Sequence, residues 1–341
     1  MTRTLYLHIG IHKTGTTSIQ STLAGFDDGT TAYFKISNQN AGWDMFTMFS
    51  DRRAEHWLNR KYSAADLAER TTRITATAEA MFAGNRKNYI ISGELMSQMF
   101  KAQEIGAMLA FMRRHFDDIR LIVYVRDPVG YMRSVMQQFV KNGPLKFDLD
   151  LAYPDYRNRL EPWFDAFPPD RREIVLFDPK RFEKGDVVFD FARRVGITVR
   201  DEDVRRVNES LTAEAYAMRF ALRTRFDDKG TGLWGKARVL EELRFVNQFG
   251  SRKLDLAAGP RDAVIARRAD DVAWMEAQLG EAFPPVAPYK DAITFGSTED
   301  VLDYARKQRA AFDAFLKPKM RKRRVLRAIG RVLIGRKPHG K

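Results

Sequence analysis

Short apolar runs alternate with stretches of helical spacing through the first two-thirds of the chain. Four of the runs predict buried strands, over residues 5–10, 88–94, 121–125 and 173–177. Apolar residues three or four positions apart predict a helix that begins at Thr17 and further helices over 67–82, 105–115, 129–141 and 187–195. Continuous apolar strands that alternate with helices are typical of a parallel sheet covered on both faces.

Beyond about Thr212 the pattern changes, because strand signals fade and helical spacing dominates, for example over residues 262–279. Residues 27–60 mix aromatic, polar and glycine residues and predict no element. The sequence therefore predicts one α/β domain over residues 1–316, with a central parallel sheet and a helical C-terminal part. A separate tail over residues 317–341 is expected to follow it.

Composition narrows the class of protein. Hydrophobic residues make up 44% and charged residues 30% of the 341 positions, as in ordinary globular proteins. No stretch approaches the roughly 20 apolar residues of a membrane span, and the N-terminus lacks the features of a signal peptide. The absence of cysteine excludes disulfides, thiolate metal ligands and cysteine nucleophiles. We expect a cytoplasmic protein.

The net charge of +14 is concentrated in the tail. Residues 317–341 hold 11 of the 58 Lys and Arg residues and no Asp or Glu, which leaves 47 basic against 44 acidic residues elsewhere. We therefore expect no nucleic-acid partner. Apolar residues at helical spacing predict a basic amphipathic helix that binds an anionic surface at the inner face of the membrane, namely Val325, Ile329, Val332 and Leu333. A polysaccharide, a partner protein or a solvated tail are the alternatives.

The segment from Gly10 to Ser18 predicts a phosphate-binding loop between the first strand and the first helix. Gly10 and Gly15 have the G-x-x-x-x-G spacing of a P-loop, but the lysine stands at position 13 instead of directly after Gly15. Such a loop points successive backbone N–H groups at one anion, and the following helix adds its positive N-terminus. The candidate ligands are His12, Lys13, Thr14, Gly15, Thr16, Thr17 and Ser18. The alternative is a glycine turn with no ligand.

The run from Leu7 to Ser18, Leu-His-Ile-Gly-Ile-His-Lys-Thr-Gly-Thr-Thr-Ser, resembles a loop of sulfotransferases that use 3′-phosphoadenosine 5′-phosphosulfate (PAPS). The resemblance implies a P-loop NTPase-like three-layer fold, in which this loop binds the 5′-phosphosulfate. It also implies that Lys13 assists departure of the bridging oxygen.

The same family holds the 3′-phosphate with an arginine at the end of a strand and a serine eight residues later. Arg126 follows the predicted strand over 121–125, and Ser134 stands eight residues further on, within the next predicted helix. The carboxyl ends of parallel strands face the ligand crevice, and an arginine there can grip a phosphate with two hydrogen bonds. The alternative is an arginine paired with a carboxylate at the sheet edge.

Sulfuryl transfer to an alcohol also needs a base that removes the hydroxyl proton. Glu94 ends the predicted strand over 88–94, so we expect it beside the loop, where partial burial raises its pKa. Its alternative role is to cap the following short helix. His8 is expected in the core, whereas His12 could contact phosphate or acceptor. No His, Asp or Glu cluster has metal-ligand spacing, and Arg126 stands where a Walker B aspartate would, so we expect no metal.

A third segment, Arg206–Leu211, is similar to an R-x-N-x-S-L segment of bacterial members of the family. It makes Asn208 and Ser210 candidates for nucleotide contact, although Ser210 could instead cap a helix.

Together these features predict a PAPS-dependent sulfotransferase that releases 3′,5′-ADP. Its expected acceptor is a hydroxyl of a carbohydrate or of a lipid-linked glycan. Trp43, Phe46 and Tyr153 could stack on a sugar ring, or they could pack in the core. A P-loop kinase of a small molecule and a non-catalytic nucleotide- or membrane-binding protein are the alternative functions.

Overall fold

The computed structural model describes residues 2–206 and 210–335 and shows a five-stranded parallel sheet among many helices. The strands of this sheet are β1 (Thr4–His8), β2 (Thr31–Tyr33), β3 (Asn88–Ser92), β4 (Asp118–Val125) and β5 (Arg172–Leu176). They lie in the order β2-β3-β1-β4-β5, and every neighbouring pair is parallel. A separate small parallel sheet contains β6 (Leu254–Leu256) and β7 (Ile293–Phe295). The predicted α/β class with a central parallel sheet is confirmed.

The α-helices of the described residues are distributed among the strands, and short 3₁₀ turns lie between several of them. They are α1 (Thr16–Leu23), α2 (Gly42–Phe49), α3 (Ala64–Phe82), α4 (Met96–Met99), α5 (Ala102–Met112), α6 (Pro128–Asn142), α7 (Tyr156–Ala166), α8 (Val187–Val195), α9 (Ala213–Asp227), α10 (Leu233–Leu243), α11 (Ala258–Arg267), α12 (Ala269–Leu279) and α13 (Thr298–Gly335).

The chain forms two compact units. The first comprises residues 1–131, 153–208 and 267–286, and the second comprises 132–152, 209–266 and 287–341. The first unit contains the five-stranded sheet. The second contains the β6–β7 sheet with α9, α10 and α13.

Apolar side chains cover the five-stranded sheet on both faces. Ile90 and Ile91 are neighbours on β3 and therefore point to opposite faces, and both are fully buried. One face packs against α1 and α8, whose Ile19, Val187 and Phe191 belong to a single apolar cluster with strand residues. Because β1 lies in the middle of the sheet, the loop that follows it emerges between the ends of β3 and β4.

Several short elements differ from the prediction. Residues 27–60 contain β2 and α2, and the helical C-terminal part also contains the β6–β7 sheet. Strands of three residues are too short for an apolar run to stand out from its surroundings. The predicted helix over 262–279 is divided into α11 and α12, because the backbone at Arg268 is not helical, with φ −108° and ψ 17°.

Helix α13 continues across the predicted boundary at residue 317, passes Pro318 and ends at Gly335. Residues 336–341 and the candidate Asn208 lie outside the described residues. The division of the chain at residue 317 and the partners of the tail stay predictions. Within the described residues, no helix combines the length and the apolar character that crossing a bilayer demands.

Candidate active site

The predicted phosphate loop connects β1 to α1 and has an unusual backbone. Lys13 and Gly15 both have left-handed conformations, with φ of 70° and 77°. A left-handed residue next to right-handed ones turns successive N–H groups into one concave surface that suits an anion. Helix α1 begins directly after Gly15, and its N-terminus has no side-chain cap hydrogen bond. The loop therefore offers an anion both backbone N–H groups and the N-terminus of an eight-residue helix.

Polar atoms converge on the inner side of this loop beside Gly10. A Cβ added to Gly10 would lie 2.5 Å from Oγ1 of Thr16 and 2.9 Å from Nε2 of His8. Both Thr14 and Thr16 are buried, and the Thr14 hydroxyl donates to the carbonyl of Ile11 at 2.7 Å. Thr14 thus stabilises the loop from within. Among the predicted ligands, His12, Lys13, Thr17 and Ser18 are partly exposed.

His8 is a core residue, as expected. Its side chain is fully buried, and burial lowers its pKa to about 4, although the nearby Glu94 acts in the opposite direction. Its Nδ1 lies 2.9 Å from the hydroxyl of Ser92, to which the Gln20 amide also donates. Within the described part of the chain, its Nε2 has no hydrogen-bond partner. His8 is therefore neutral at neutral pH.

His12 lies between two side chains of the segment that follows β3. Its Nδ1 is 2.7 Å from Oε1 of Glu94, and its Nε2 is 2.8 Å from Oε1 of Gln98. Burial lowers the pKa of His12, but the hydrogen bond and negative charge of Glu94 outweigh it, so that the pKa is raised above its ordinary value. Gln98 acts in the same direction and Arg159 against it. His12 and Glu94 therefore each favour the charged form of the other.

The pKa of Glu94 differs from the expectation. Burial does raise it, but the hydrogen bond and charge of His12 outweigh burial, with help from Lys13 and His8, and the pKa lies below its ordinary value. Glu94 also does not cap the next helix, because Leu95 holds the N-cap position of α4 and makes no side-chain cap bond. The expectation of a raised pKa was wrong, since the sequence concealed the ion pair with His12.

Arg126 follows β4 and contacts the phosphate loop. Its Nη1 donates to the carbonyl oxygen of Lys13 at 3.3 Å, and its guanidinium lies 5.5 Å from the ring centre of Phe177. Its own carbonyl accepts a hydrogen bond from the hydroxyl of the buried Tyr156. Asp127 follows, and its carboxylate accepts from the N–H of Gly130 at 2.6 Å in the first turn of α6. The structure brings the two predicted phosphate anchors, Lys13 and Arg126, together.

Ser134 lies in the second turn of α6 and is partly buried, within the second unit. Its pairing with Arg126 stays a prediction. Ser210 is exposed and does not cap the next helix. The cap of α9 is Thr212, whose hydroxyl accepts from the N–H of Ala215.

Sequence reasoning missed several residues around the loop. Gln98 lies on α4, and its contact with His12 carried no signal in the sequence. Arg159 donates to the hydroxyl of Tyr131 at 2.9 Å, and like Tyr156 it comes from α7, which no motif marked. Distant elements of this kind meet only through the fold.

The aromatic residues that could stack on a sugar ring make their contacts within the protein. Phe46 and Tyr153 are buried, and Trp43 donates from Nε1 to Asn59 while its ring lies 4.0 Å from the Arg70 guanidinium. These aromatic residues pack within the protein. In residues 2–206 and 210–335, no group of three or more His, Asp or Glu side chains is arranged to hold a metal ion.

Comparison with known proteins gives limited similarity. No family model matches the chain. An uncharacterised protein of Archaeoglobus fulgidus is 31% identical over 107 residues, which cover 30% of this chain. The match spans only 29% of that relative.

Solved structures with a similar arrangement include three sulfotransferases. The enzyme from Alicyclobacillus acidocaldarius is 15% identical with a TM-score of 0.44, over 83% of this chain and 98% of its own. The sulfotransferase domain of the Synechococcus PCC 7002 olefin synthase is 17% identical with a TM-score of 0.38, over 60% and 76%. The domain from the curacin biosynthetic pathway is 12% identical with a TM-score of 0.38, over 83% and 99%. With TM-scores below 0.5, these similarities carry no argument about activity.

Proposed function

We propose that this chain is a sulfotransferase that moves a sulfuryl group from PAPS to a hydroxyl acceptor. The observation that supports this most directly is the hydrogen bond from Arg126 to the Lys13 carbonyl. It joins two cationic residues at the carboxyl ends of the neighbouring strands β1 and β4, where ligands of parallel sheets bind. A donor with phosphates at both its 5′ and its 3′ positions needs two such anchors side by side.

The loop residues fit a phosphosulfate group. The left-handed conformations of Lys13 and Gly15 and the uncapped start of α1 suit an anion. If Nδ1 of His8 accepts from the Ser92 hydroxyl, its buried Nε2 carries the ring proton and lacks an acceptor. A ligand oxygen near Gly10 would supply that acceptor, and buried donors are rarely left unsatisfied.

When bound, PAPS supplies an activated sulfuryl group. In the reaction the acceptor O–H bond breaks and a new O–S bond forms. The bridging S–O bond breaks with its electron pair left on the 5′-phosphate of 3′,5′-ADP. Lys13 would neutralise the charge on that oxygen, and Arg126 with Ser134 would bind the 3′-phosphate. The acceptor proton would pass to the pair formed by His12 and Glu94.

Two alternative functions have less support. A P-loop kinase would need its lysine after Gly15 and a metal-binding carboxylate after β4, but the lysine is at position 13 and Arg126 follows β4. A non-catalytic nucleotide- or membrane-binding protein would have no use for a partly exposed, coupled acid–base pair beside its phosphate loop.

We propose a hydroxyl of a carbohydrate or of a lipid-linked glycan as the acceptor. Its support is the tail, whose 11 basic and no acidic residues would hold the enzyme at an anionic inner membrane surface where such acceptors lie. A screen of glycan, glycolipid and phenol acceptors with labelled PAPS tests the class. Transfer to phenols alone contradicts it.

Calorimetry with 3′,5′-ADP and ADP tests the donor site. We expect 3′,5′-ADP to bind more tightly, and Arg126→Ala to weaken it about 10- to 100-fold, since a charge-assisted contact contributes about 1.5–3 kcal/mol. Arg113→Ala is the matched control, because Arg113 is exposed at the end of α5 and should leave the affinity unchanged. Equal binding of the two nucleotides, or binding that requires Mg²⁺ with ATP, contradicts the proposed function.

A further inference from the structure

His12 stands in the phosphate loop with both ring nitrogens in contact with side chains that follow β3. Glu94 contacts Nδ1 at 2.7 Å, and Gln98 contacts Nε2 at 2.8 Å. The side chain of His12 is 34% exposed, against 19% for that of Glu94. The imidazole is therefore the more accessible member of the pair, and its Nε2 faces the exposed residue Gln98.

We propose that Nε2 of His12 is the atom that receives the acceptor proton, that Glu94 is its positioning residue, and that Gln98 occupies the place of the acceptor hydroxyl. The proposal rests on the proposed sulfotransferase function and assigns the base within its site. It replaces Glu94, which the sequence predicted for that role.

The surroundings of Glu94 argue against a direct role for its carboxylate. Glu94 faces His12, Lys13 and His8, whose positive or polar character keeps its pKa below the ordinary value. A carboxylate with a depressed pKa is a weak base at neutral pH. The same carboxylate is well suited to hold the Nδ1 proton of His12, which fixes the tautomer and leaves the Nε2 lone pair available.

Gln98 can serve both protonation states of His12. Its amide oxygen accepts from the imidazolium, and after a half-turn its NH₂ group can donate to the neutral ring. Gln98 is exposed on α4, a helix of only four residues, so it can move without disturbing the core. An acceptor hydroxyl in its place would donate its O–H directly to Nε2.

The proton transfer is balanced within this group. The acceptor O–H bond breaks with its electron pair kept by oxygen, which forms the new bond to sulfur as the bridging S–O bond breaks and leaves its electron pair on the 5′-phosphate. The proton binds Nε2, and the resulting imidazolium is neutralised by Glu94 across the 2.7 Å contact. The positive charge of Arg159, on α7, lowers the pKa of His12 and so favours later release of the proton to solvent.

NMR titration of the His12 ring in the free protein, together with the pH profile of kcat/KM, tests the assignment. Glu94→Gln removes the negative partner, so we expect a lower pKa of His12 and an acid limb of the profile that moves to lower pH by the same amount. Gln98→Glu adds a negative partner at Nε2, so both should move to higher pH. Glu79→Gln is the matched control, because Glu79 faces His115 and should leave His12 unchanged.

Activity and binding then separate the two levels of the argument. We expect His12→Asn to lower kcat by about 10²- to 10⁴-fold, the range of general base catalysis, and to weaken 3′,5′-ADP binding far less, although His12 belongs to the phosphate loop. Retained nucleotide binding with kcat within a few fold of wild type overturns the role of His12 alone. An acid limb that stays fixed while the NMR pKa moves overturns it as well. If the wild-type protein binds 3′,5′-ADP no more tightly than ADP, the sulfotransferase function itself is overturned.

Discussion

Replacing Gly15 with alanine tests why the phosphate loop has a glycine where α1 begins. Gly15 has φ of 77°, a conformation that costs an L-residue about 1–2 kcal/mol. An added Cβ would lie 2.5 Å from Cγ1 of Val187, and such overpacking costs about 1–3 kcal/mol. The alanine recovers about 0.4–1 kcal/mol by restricting the unfolded chain. We therefore expect Gly15→Ala to lower the free energy of unfolding by about 1–5 kcal/mol.

Gly280 offers a matched control in the same compact unit. It has φ of 78° at the end of α12, and an added Cβ would meet nothing within 4 Å. Gly280→Ala should therefore show only the backbone effect, a loss of about 1 kcal/mol. Urea unfolding measures both variants, with the slope m compared to detect changes in the unfolded state. Equal losses would refute the argument that Val187 reserves the space beside Gly15.

Two further perturbations follow from charge. Burial raises the pKa of Asp190, but hydrogen bonds from Arg194, Tyr124 and Arg193 outweigh burial, so the pKa in the folded protein lies below its ordinary value. The ionised carboxylate therefore stabilises the fold fully above a pH of about 3.8, and this stabilisation is lost as the pH falls through the lower folded pKa. Asp190→Asn should flatten the fall of the urea midpoint below about pH 4, whereas the exposed Asp165→Asn should leave that fall unchanged. Deleting residues 321–341 should abolish cosedimentation of the protein with phosphatidylserine vesicles. This deletion spares Lys319, whose Nζ donates a hydrogen bond to Gln248. Unchanged vesicle binding rejects the membrane partner.

The sequence predicted the elements whose pattern is long or wholly apolar. The runs in β3 and β4 are buried on both faces, so their apolar character is continuous, and β1 and the end of β5 also carry short apolar runs that are visible in the sequence. Edge strand β2 and the β6–β7 pair have three residues each, too few to show a period. The break at Arg268 carries no glycine or proline, so nothing local announced that α11 and α12 are separate.

The site residues that could be predicted are those whose type and position after a strand already suit phosphate binding. Lys13 and Arg126 were found in this way, but the hydrogen bond between them depends on the pairing of β1 with β4. The contact of His12 with Glu94 depends on the parallel register of β1 and β3, in which His8 lies opposite Ser92. A sequence does not state a register, and the pKa of Glu94 was therefore expected in the wrong direction.

The strand order β3-β1-β4 gives the phosphate loop two different sides. Arg126 approaches it from β4, and Glu94 with Gln98 approaches it from β3. Under the proposed function, Arg126 on the β4 side serves the nucleotide and Gln98 on the β3 side marks the place of the group to be sulfated, whereas His12 and Lys13 belong to the loop between them. Substrate range can then diverge through changes after β3 while the donor side stays constant. Grafting the segment after β3 from one such protein into another is the corresponding route to a new acceptor.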